Sequence, residues 1–431
     1  MKRSLIFSSR LSLAFGLKIL NLIFQIISII FVAKFFSEKE LGIYYLIMSL
    51  FGLQLISDLG FSKTMAIFIS HESHKLKLEN NLLIGPVRSL SRVILVFNLV
   101  LTWFKKSSII LFLIYLFLGS FFFLYKDSNF DLFKLWILLS LISCFSIFSP
   151  LIFGFFEGIN NINRANIFSS AQLIISNLFF LLSIDKFGVY SILMKSIGGL
   201  VILLIYIYYH RKLFEQLTVF RKVEVKLKNQ FRDQQKKFAL TSIMGYLALG
   251  TFVPFSYYFI SSEFSGKLGF SLQIVNTLSN FLFVFFTINY PLISQDIAER
   301  KYNSARDKFY FIIKIVLSLY LFGSIMFFAL NDLISFFTNN RLLSTNFIII
   351  LFISGILLIS VQLLSSYLRL FKKEYFLKHA FFSAIFSITL LFTIGYNYSE
   401  NGVFISYLLI TFFQFIYAFI IFIKHSNHAS T

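Results

Sequence analysis

RKLFEQLTVFRKVEVKLKNQFRDQQKK, residues 211–237, lies near the middle of a 431-residue chain and carries nine Lys and Arg against three acids. On both sides of it the sequence is dominated by apolar runs, each about the 20 residues that a helix needs to cross the hydrocarbon of a bilayer. Apolar residues make up 58% of the chain and charged residues 13%, against roughly 45–50% and about 25% in soluble domains. That composition belongs to a polytopic membrane protein. A net charge of +20 would otherwise suggest a nucleic-acid partner. Here the bases are separated by apolar runs too long to pack behind a water-soluble basic face, so no nucleic acid is expected.

Because lipid tolerates no unpaired backbone, each long apolar run is read as a helix. Working outward from the basic stretch, the spans are 11–35, 41–62, 107–125, 132–156, 167–184 and 188–209 before it. After it come 239–260, 270–293, 312–336, 346–370, 380–398 and 403–424. The expected fold is therefore an all-α membrane protein with twelve transmembrane helices in two six-helix bundles, residues 1–209 and 239–431, joined by the basic linker 210–238. Segment 63–106 contains a second apolar run, Val93 to Phe104, short and bracketed by Arg88, Arg92 and Lys105-Lys106. It is read as an amphipathic helix on the inner membrane surface. With twelve spans, 30 Lys and Arg fall on one side and seven on the other. Positively charged loops stay on the side of synthesis, which places both the N and the C terminus in the cytoplasm. The apolar segment from Leu11 is too long for a cleaved signal peptide and reads as the first span.

Two short matches point to an internal repeat. Lys39-Glu40-Leu41-Gly42, opening the second span, resembles Lys267-Leu268-Gly269, opening the eighth; Phe187-Gly188-Val189 resembles Asn401-Gly402-Val403. Repeats of this kind are common in transporters. The outer loops are too short to hold a folded domain.

Polar residues inside the spans are the candidates for function. Lys18, Asn21, Gln25 and Ser28 recur at steps of three, four and three, on one face of the first span. Lys18 can snorkel to the inner headgroups or line a cavity that meets an anionic substrate. Lys195 lies within the sixth span beside Gly198-Gly199, which leaves room for a partner helix or a ligand. Arg164 follows the fourth span on the inner side and is a third candidate for phosphate or an acidic sugar. Asn276 and Asn280 share a face of the eighth span with Gln273 and Thr287; amides there suit sugar hydroxyls or bind helices together. Gln172 and Asn177 do not share a face and are read as structural. Asp58 either starts an Asp-Leu-Gly turn at the inner end of the second span or serves in ion coupling.

Catalytic patterns are missing. Cys144 is the sole cysteine, the six histidines lie in segments assigned to the inner side, and no phosphate-binding loop or nucleophile elbow occurs. No enzyme activity, metal or cofactor is expected.

Leu41-Gly42-Ile43-Tyr44, continuing to Asp58-Leu59-Gly60-Phe61-Ser62-Lys63-Thr64, resembles the second span of bacterial Wzx-type polysaccharide flippases. Phe156-Glu157-Gly158-Ile159-Asn160, followed by Arg164-Ala165-Asn166, is similar to an inner loop of that family, as is His71-Glu72-Ser73-His74-Lys75-Leu76 with Arg88-Ser89-Leu90-Ser91-Arg92. The resemblance implies the fold of the multidrug/oligosaccharidyl-lipid/polysaccharide (MOP, MATE-like) exporters, with two bundles around a cavity that opens alternately to each side. It implies a flippase that moves undecaprenyl-pyrophosphate-linked oligosaccharide repeat units of O-antigen or capsule across the bacterial inner membrane. Membrane lipids, and the polymerase and chain-length proteins of the same pathway, would be its partners. A cation-coupled multidrug or small-molecule exporter of the same superfamily is the alternative. An O-antigen polymerase or membrane acyltransferase fits less well, since no large outer loop is present.

Overall fold

A computed structural model describes residues 9–58, 60–73, 75–219, 239–371 and 374–426. Lys2, Arg3 and most of the basic linker, 220–238, lie outside the described residues. Among the described residues, ten helical segments are long and apolar enough to cross a membrane, and the chain is a multi-pass membrane protein. Nine of these segments each overlap one expected span, Val87–Lys126 together with the apolar run before it. The remaining one, Asn163–Tyr209, contains two helices, α8 (Ile162–Phe187) and α9 (Ser191–Tyr209), packed along each other. They reverse at Gly188, whose φ of 51° with ψ of −131° is a combination only glycine adopts readily.

The expected span 41–62 is no single helix. It is built from α2 (Glu38–Phe51), α3 (Leu53–Asp58) and α4 (Phe61–Ser73), interrupted at Gly52 and Gly60. Gly60 has φ 71°, and the Asp58 carboxylate accepts hydrogen bonds from the Ser62 amide at 3.0 Å and from the Ser62 hydroxyl. Asp58 thus satisfies a free N–H in the first turn of α4, as a capping acid does. Asp58 and Gly60 thus flank the joint between α3 and α4.

A second departure lies in 63–106. Val93 to Phe104 does not form a separate surface helix but continues into the expected third span as α5 (Val87–Gly119), which runs on as a π-helical end to Lys126. At about 1.5 Å per residue this 40-residue segment is about 60 Å long, twice the hydrocarbon thickness of about 30 Å. Lys105-Lys106 break the hydropathy, yet basic side chains are good helix formers and leave the backbone ladder intact. Residues 93–97, Val100 and Phe104 are buried against neighbouring helices: Phe97 meets the edge of Phe155, and Trp103 stacks on Phe61. The all-helical expectation also omitted a small hairpin, β1 (Lys77–Glu79) antiparallel to β2 (Leu82–Ile84).

The helices pack as two compact units. One comprises the described parts of Met1–Ser28 and Phe51–Ala239; the other comprises Ile29–Leu50 and the described parts of Leu240–Thr431. The first unit holds the body of α1 (Ser9–Phe35), then α3 to α5, α6 (Phe130–Ser146), α7 (Phe148–Gly158), α8, α9 and the short α10 (Arg211–Thr218). Here α4 lies against α7. A Cβ on Gly154 would fall 2.6 Å from the Ser62 carbonyl oxygen, and one on Gly158 would fall 2.8 Å from Ile69 Cβ. Two of the segments that carry the family resemblance, around Ser62 and around Gly158, therefore meet in one close helix contact.

The second unit holds the end of α1 and all but the last residue of α2. It continues with α11 (239–249), α12 (Phe252–Phe259), α13 (Ser262–Ala298), α14 (Tyr302–Ala329), α15 (Asn331–Phe337), α16 (Thr345–Arg369), α17 (Leu377–Leu390) and α18 (Ser399–Ser426). The α1–α2 tip is held by specific polar contacts. Glu38 pairs with Arg341 at 3.1 Å and Lys267 at 3.3 Å, and Arg341 donates to the Phe36 carbonyl at 2.9 Å. Ser49 donates to Gly250 O at 2.8 Å, and Tyr246 donates back to Ser49 O at 3.0 Å. The two segments read as a repeat touch each other. Gly42 lies against the Ser262 backbone, Gly266 against the Gly42 amide, and Gly269 against the Tyr45 ring. His379, expected in a charged connection, is instead buried in α17, with its Nε2 2.9 Å from Gln414 O.

Candidate functional site

The polar stripe on α1 is partly a helix-packing device. Asn21 Nδ2 donates to Ser170 Oγ at 3.1 Å, and Ser28 Oγ donates to Asn177 Oδ1 at 3.1 Å. Both partners lie on α8. Residue numbers rise together by seven on each helix, so α1 and α8 run in the same direction in constant register. Ser28 and Asn177 are buried, Lys18 and Gln25 are half-buried, and Asn21 Oδ1 is enclosed with no hydrogen-bond partner. Asn177 is structural, as is Gln172, which donates to Ser149 Oγ at 2.9 Å and Gly199 O at 3.2 Å.

Lys195 lies on α9 with Nζ 5.0 Å from the ring centroid of Phe180 on α8. The space beside it is taken by a helix. Gly198 and Gly199 bring α9 against Ile175 and Ser176, where a Cβ would lie 3.0 Å from Ile175 O and 2.8 Å from Ser176 Oγ. A cation over an aromatic face away from water is worth about 2 kcal/mol, which offsets part of the cost of the ammonium in this setting.

Arg164 sits in the first turn of α8, and its Nη1 is buried with no hydrogen-bond partner. Around it stand Tyr206, whose hydroxyl lies 3.5 Å from Arg164 O, and His210, which packs on Tyr206 and Phe156. Burial, and then the Arg164 charge, push the His210 imidazolium down to a pKa of about 4. His210 is thus neutral at neutral pH, with Nδ1 3.0 Å from Asn81 Oδ1. His210, Tyr206 and Asn81 are site neighbours that the sequence reading missed. A Tyr-x-x-x-His spacing at the end of an apolar span was the available signal, since residues four apart share a helix face.

Along α8, Arg164 and Phe180 are sixteen residues apart, about 24 Å, so Arg164 and Lys195 mark opposite ends of the α8–α9 pair. The α1–α8 register sets Lys18 level with about residue 167, within about 5 Å of Arg164 along the axis. The chain brings Lys18 and Arg164 to one level and keeps Lys195 apart from them.

In the second unit, Gln273 accepts from Tyr45 Oη at 2.5 Å and serves to hold the tip. Asn276 and Asn280 are exposed on the same helix, while Val275 and Ser279 beside them are buried. Thr287 returns its hydroxyl to Val284 O at 3.0 Å. Among the described residues no three His, Cys, Asp or Glu side chains form a metal-holding group.

No family model matches the chain, and no curated protein matches it. Solved structures do. An inward-facing multidrug-resistance MATE family transporter of the MOP superfamily aligns with a TM-score of 0.71 at 11% identity, covering 95% of this chain and 94% of its own. A MOP superfamily transporter from Pyrococcus furiosus, reported with a binding pocket of reverse polarity, aligns at 0.66 with 12% identity over 98% and 96%. A MATE transporter in complex with the ligand MaD3S gives 0.67 at 13% identity over 98% and 96%.

Proposed function

We propose that this chain, whose fold is that of the MATE transporters of the MOP superfamily, is an exporter that crosses a bacterial inner membrane twelve times and works by alternating access. Nine of the segments give one crossing each, α8 and α9 give two, and the broken helix α2–α3–α4 supplies the twelfth. Cation-coupled export of drugs or other small molecules is the reading that the structural neighbours, multidrug-resistance transporters, support most directly. The basic residues on the membrane helices support an anionic cargo. Lys18, Arg164 and Lys195 are basic, whereas Asp58, the candidate coupling acid, has its carboxylate engaged at the first turn of α4. The observation that carries this reading is the enclosed Arg164 Nη1 without a partner beside a neutral His210, since an unneutralised guanidinium away from water favours an anion.

The lipid-linked oligosaccharide flippase is a second reading, favoured by the exposed amides Asn276 and Asn280. An amide facing hydrocarbon is costly, so that face of α13 is suited to water or to sugar hydroxyls. Purified protein in liposomes, assayed in parallel with a cationic dye, an anionic dye and a fluorescent polyprenyl-diphosphate oligosaccharide, tests both readings. Movement of the anionic probe is expected; movement of the cationic dye alone would overturn the anion assignment. Movement of the lipid-linked probe would establish the flippase. If Asp58 couples transport to an ion, Asp58→Asn should abolish gradient-driven accumulation while leaving exchange intact.

A further inference from the structure

Strand β1 pairs with β2 in the register Lys77↔Ile84, Leu78↔Leu83 and Glu79↔Leu82, closed by Asn80 and Asn81 at φ 50° and 59°. Two left-handed residues make the tight turn that suits a two-residue hairpin. The pleat puts Leu83 on the protein side, where it is buried, and Leu82 and Ile84 on the opposite side. Gln216 of α10 fixes that choice. It accepts from the Leu83 amide and donates to the Leu83 carbonyl, both at 2.9 Å, so a one-residue slip would break both bonds. Leu82, Ile84 and Val87 consequently remain exposed, Ile84 by 53% and Val87 by 72%. Ile84 has Lys77 as its cross-strand neighbour, Leu82 has Glu79, and Arg88 follows Val87, so two bases stand on this face against one acid.

The hairpin is also held at a definite height. Asn81 donates to Tyr209 O at 3.3 Å and contacts His210 at 3.0 Å. Tyr208 and Tyr209, both exposed, close the membrane-crossing segment Asn163–Tyr209, and exposed tyrosines at a span end mark the boundary between lipid and water. Exposed aliphatic side chains beside basic ones at that height form the two-part signal by which peripheral segments hold an anionic surface.

We propose that the outward face of the β1–β2 hairpin is a contact for anionic phospholipid, with Leu82, Ile84 and Val87 set into the boundary layer and Lys77 and Arg88 meeting headgroup phosphates. The contact is separate from transport and ties the inner end of the first unit to the leaflet. Nitroxide labels at Leu82→Cys and Ile84→Cys, in a Cys144→Ser background and in bilayers containing phosphatidylglycerol, test it by collision with oxygen and with a water-soluble nickel chelate. A label at Asn303→Cys, exposed at the start of α14, supplies the aqueous reference. At 82 and 84, oxygen collisions should exceed nickel collisions severalfold, with the ratio reversed at 303. Lys77→Gln should shift the bound fraction toward water about fivefold, the effect of removing one base near an anionic surface. Nickel access at 82 and 84 equal to that at 303 would overturn the proposal, as would immobile labels reached by neither reagent. Equal depth in pure phosphatidylcholine would overturn the assignment to anionic lipid.

Discussion

Ser28 Oγ donates a hydrogen bond to Asn177 Oδ1 at 3.1 Å, seven residues along both helices from the bond between Asn21 and Ser170. Between membrane helices such bonds contribute about 0.6 kcal/mol on average and about 1.7 at most. Ser28→Ala should therefore lower the stability of purified protein by about 1 kcal/mol in a detergent unfolding titration, with a similar loss for Asn177→Ala. The double variant should lose little more than either single one, because both remove the same bond. Additive losses would show that the two residues act independently.

Gly42 lies where two helices touch backbone to backbone. A Cβ there would fall 2.1 Å from the Ser262 carbonyl oxygen, which neither helix can yield without moving. Gly42→Ala should cost about 1–3 kcal/mol, the range for overpacking, and Gly42→Val more. Hydrogen exchange over Ile29–Leu50 should rise in both variants, since that tip is bound into the second unit through the same contact. Unchanged protection would mean that the tip is held by its polar contacts rather than by this helix packing.

The length and polarity of most helices were legible because lipid imposes one rule on every span: apolar side chains outside and a satisfied backbone inside. The same rule explains the misreadings. Lys105-Lys106 interrupt the hydropathy of α5 without interrupting its hydrogen bonds, so a sequence reading divides what the chain keeps whole. Asparagine tolerates the left-handed backbone that the two-residue turn Asn80–Asn81 requires, but the pair lies in a segment read only for helical amphipathicity. At the site, spacing put Lys18, Asn21, Gln25 and Ser28 on one face, but spacing is silent about which partner fills that face. Asn21 and Ser28 turn out to bond α8. The Arg164–His210 juxtaposition joins residues 46 positions apart, and no local pattern encodes it.

His210 should make the first unit acid-sensitive. Its folded pKa of about 4 lies below the ordinary histidine value of about 6.5, so between these pH values the unfolded chain binds a proton that the folded chain does not. Stability is therefore complete above about pH 6.5 and declines as pH falls toward 4. His210→Gln, which can still bond Asn81, should flatten this part of the profile in thermal unfolding followed from pH 7 to pH 4. A variant profile as steep as the parent's would assign the acid sensitivity to other groups.

The placement of three bases predicts how their effects combine. Lys18 and Arg164 share one level of the α1–α8 pair, while Lys195 sits about 24 Å along α8 from Arg164, over Phe180. One end of an anionic probe, such as a diphosphate, is therefore expected to engage Lys18 and Arg164 and to leave Lys195, at the other end of the pair, untouched. Lys18→Gln and Arg164→Gln should each weaken the apparent affinity for an anionic probe about tenfold, the effect of losing one charge-assisted bond. Combining them should cost less than the product, because neighbours bound to one group couple. Lys195→Gln should multiply independently with either, and for a probe charged at one end only it should have little effect. Arg164→Lys tests geometry as well as charge: a fork that grips phosphate at two points is lost, so partial recovery is expected. Coupling between Lys195 and Arg164 as strong as that between Lys18 and Arg164 would show that the two ends approach one another during transport.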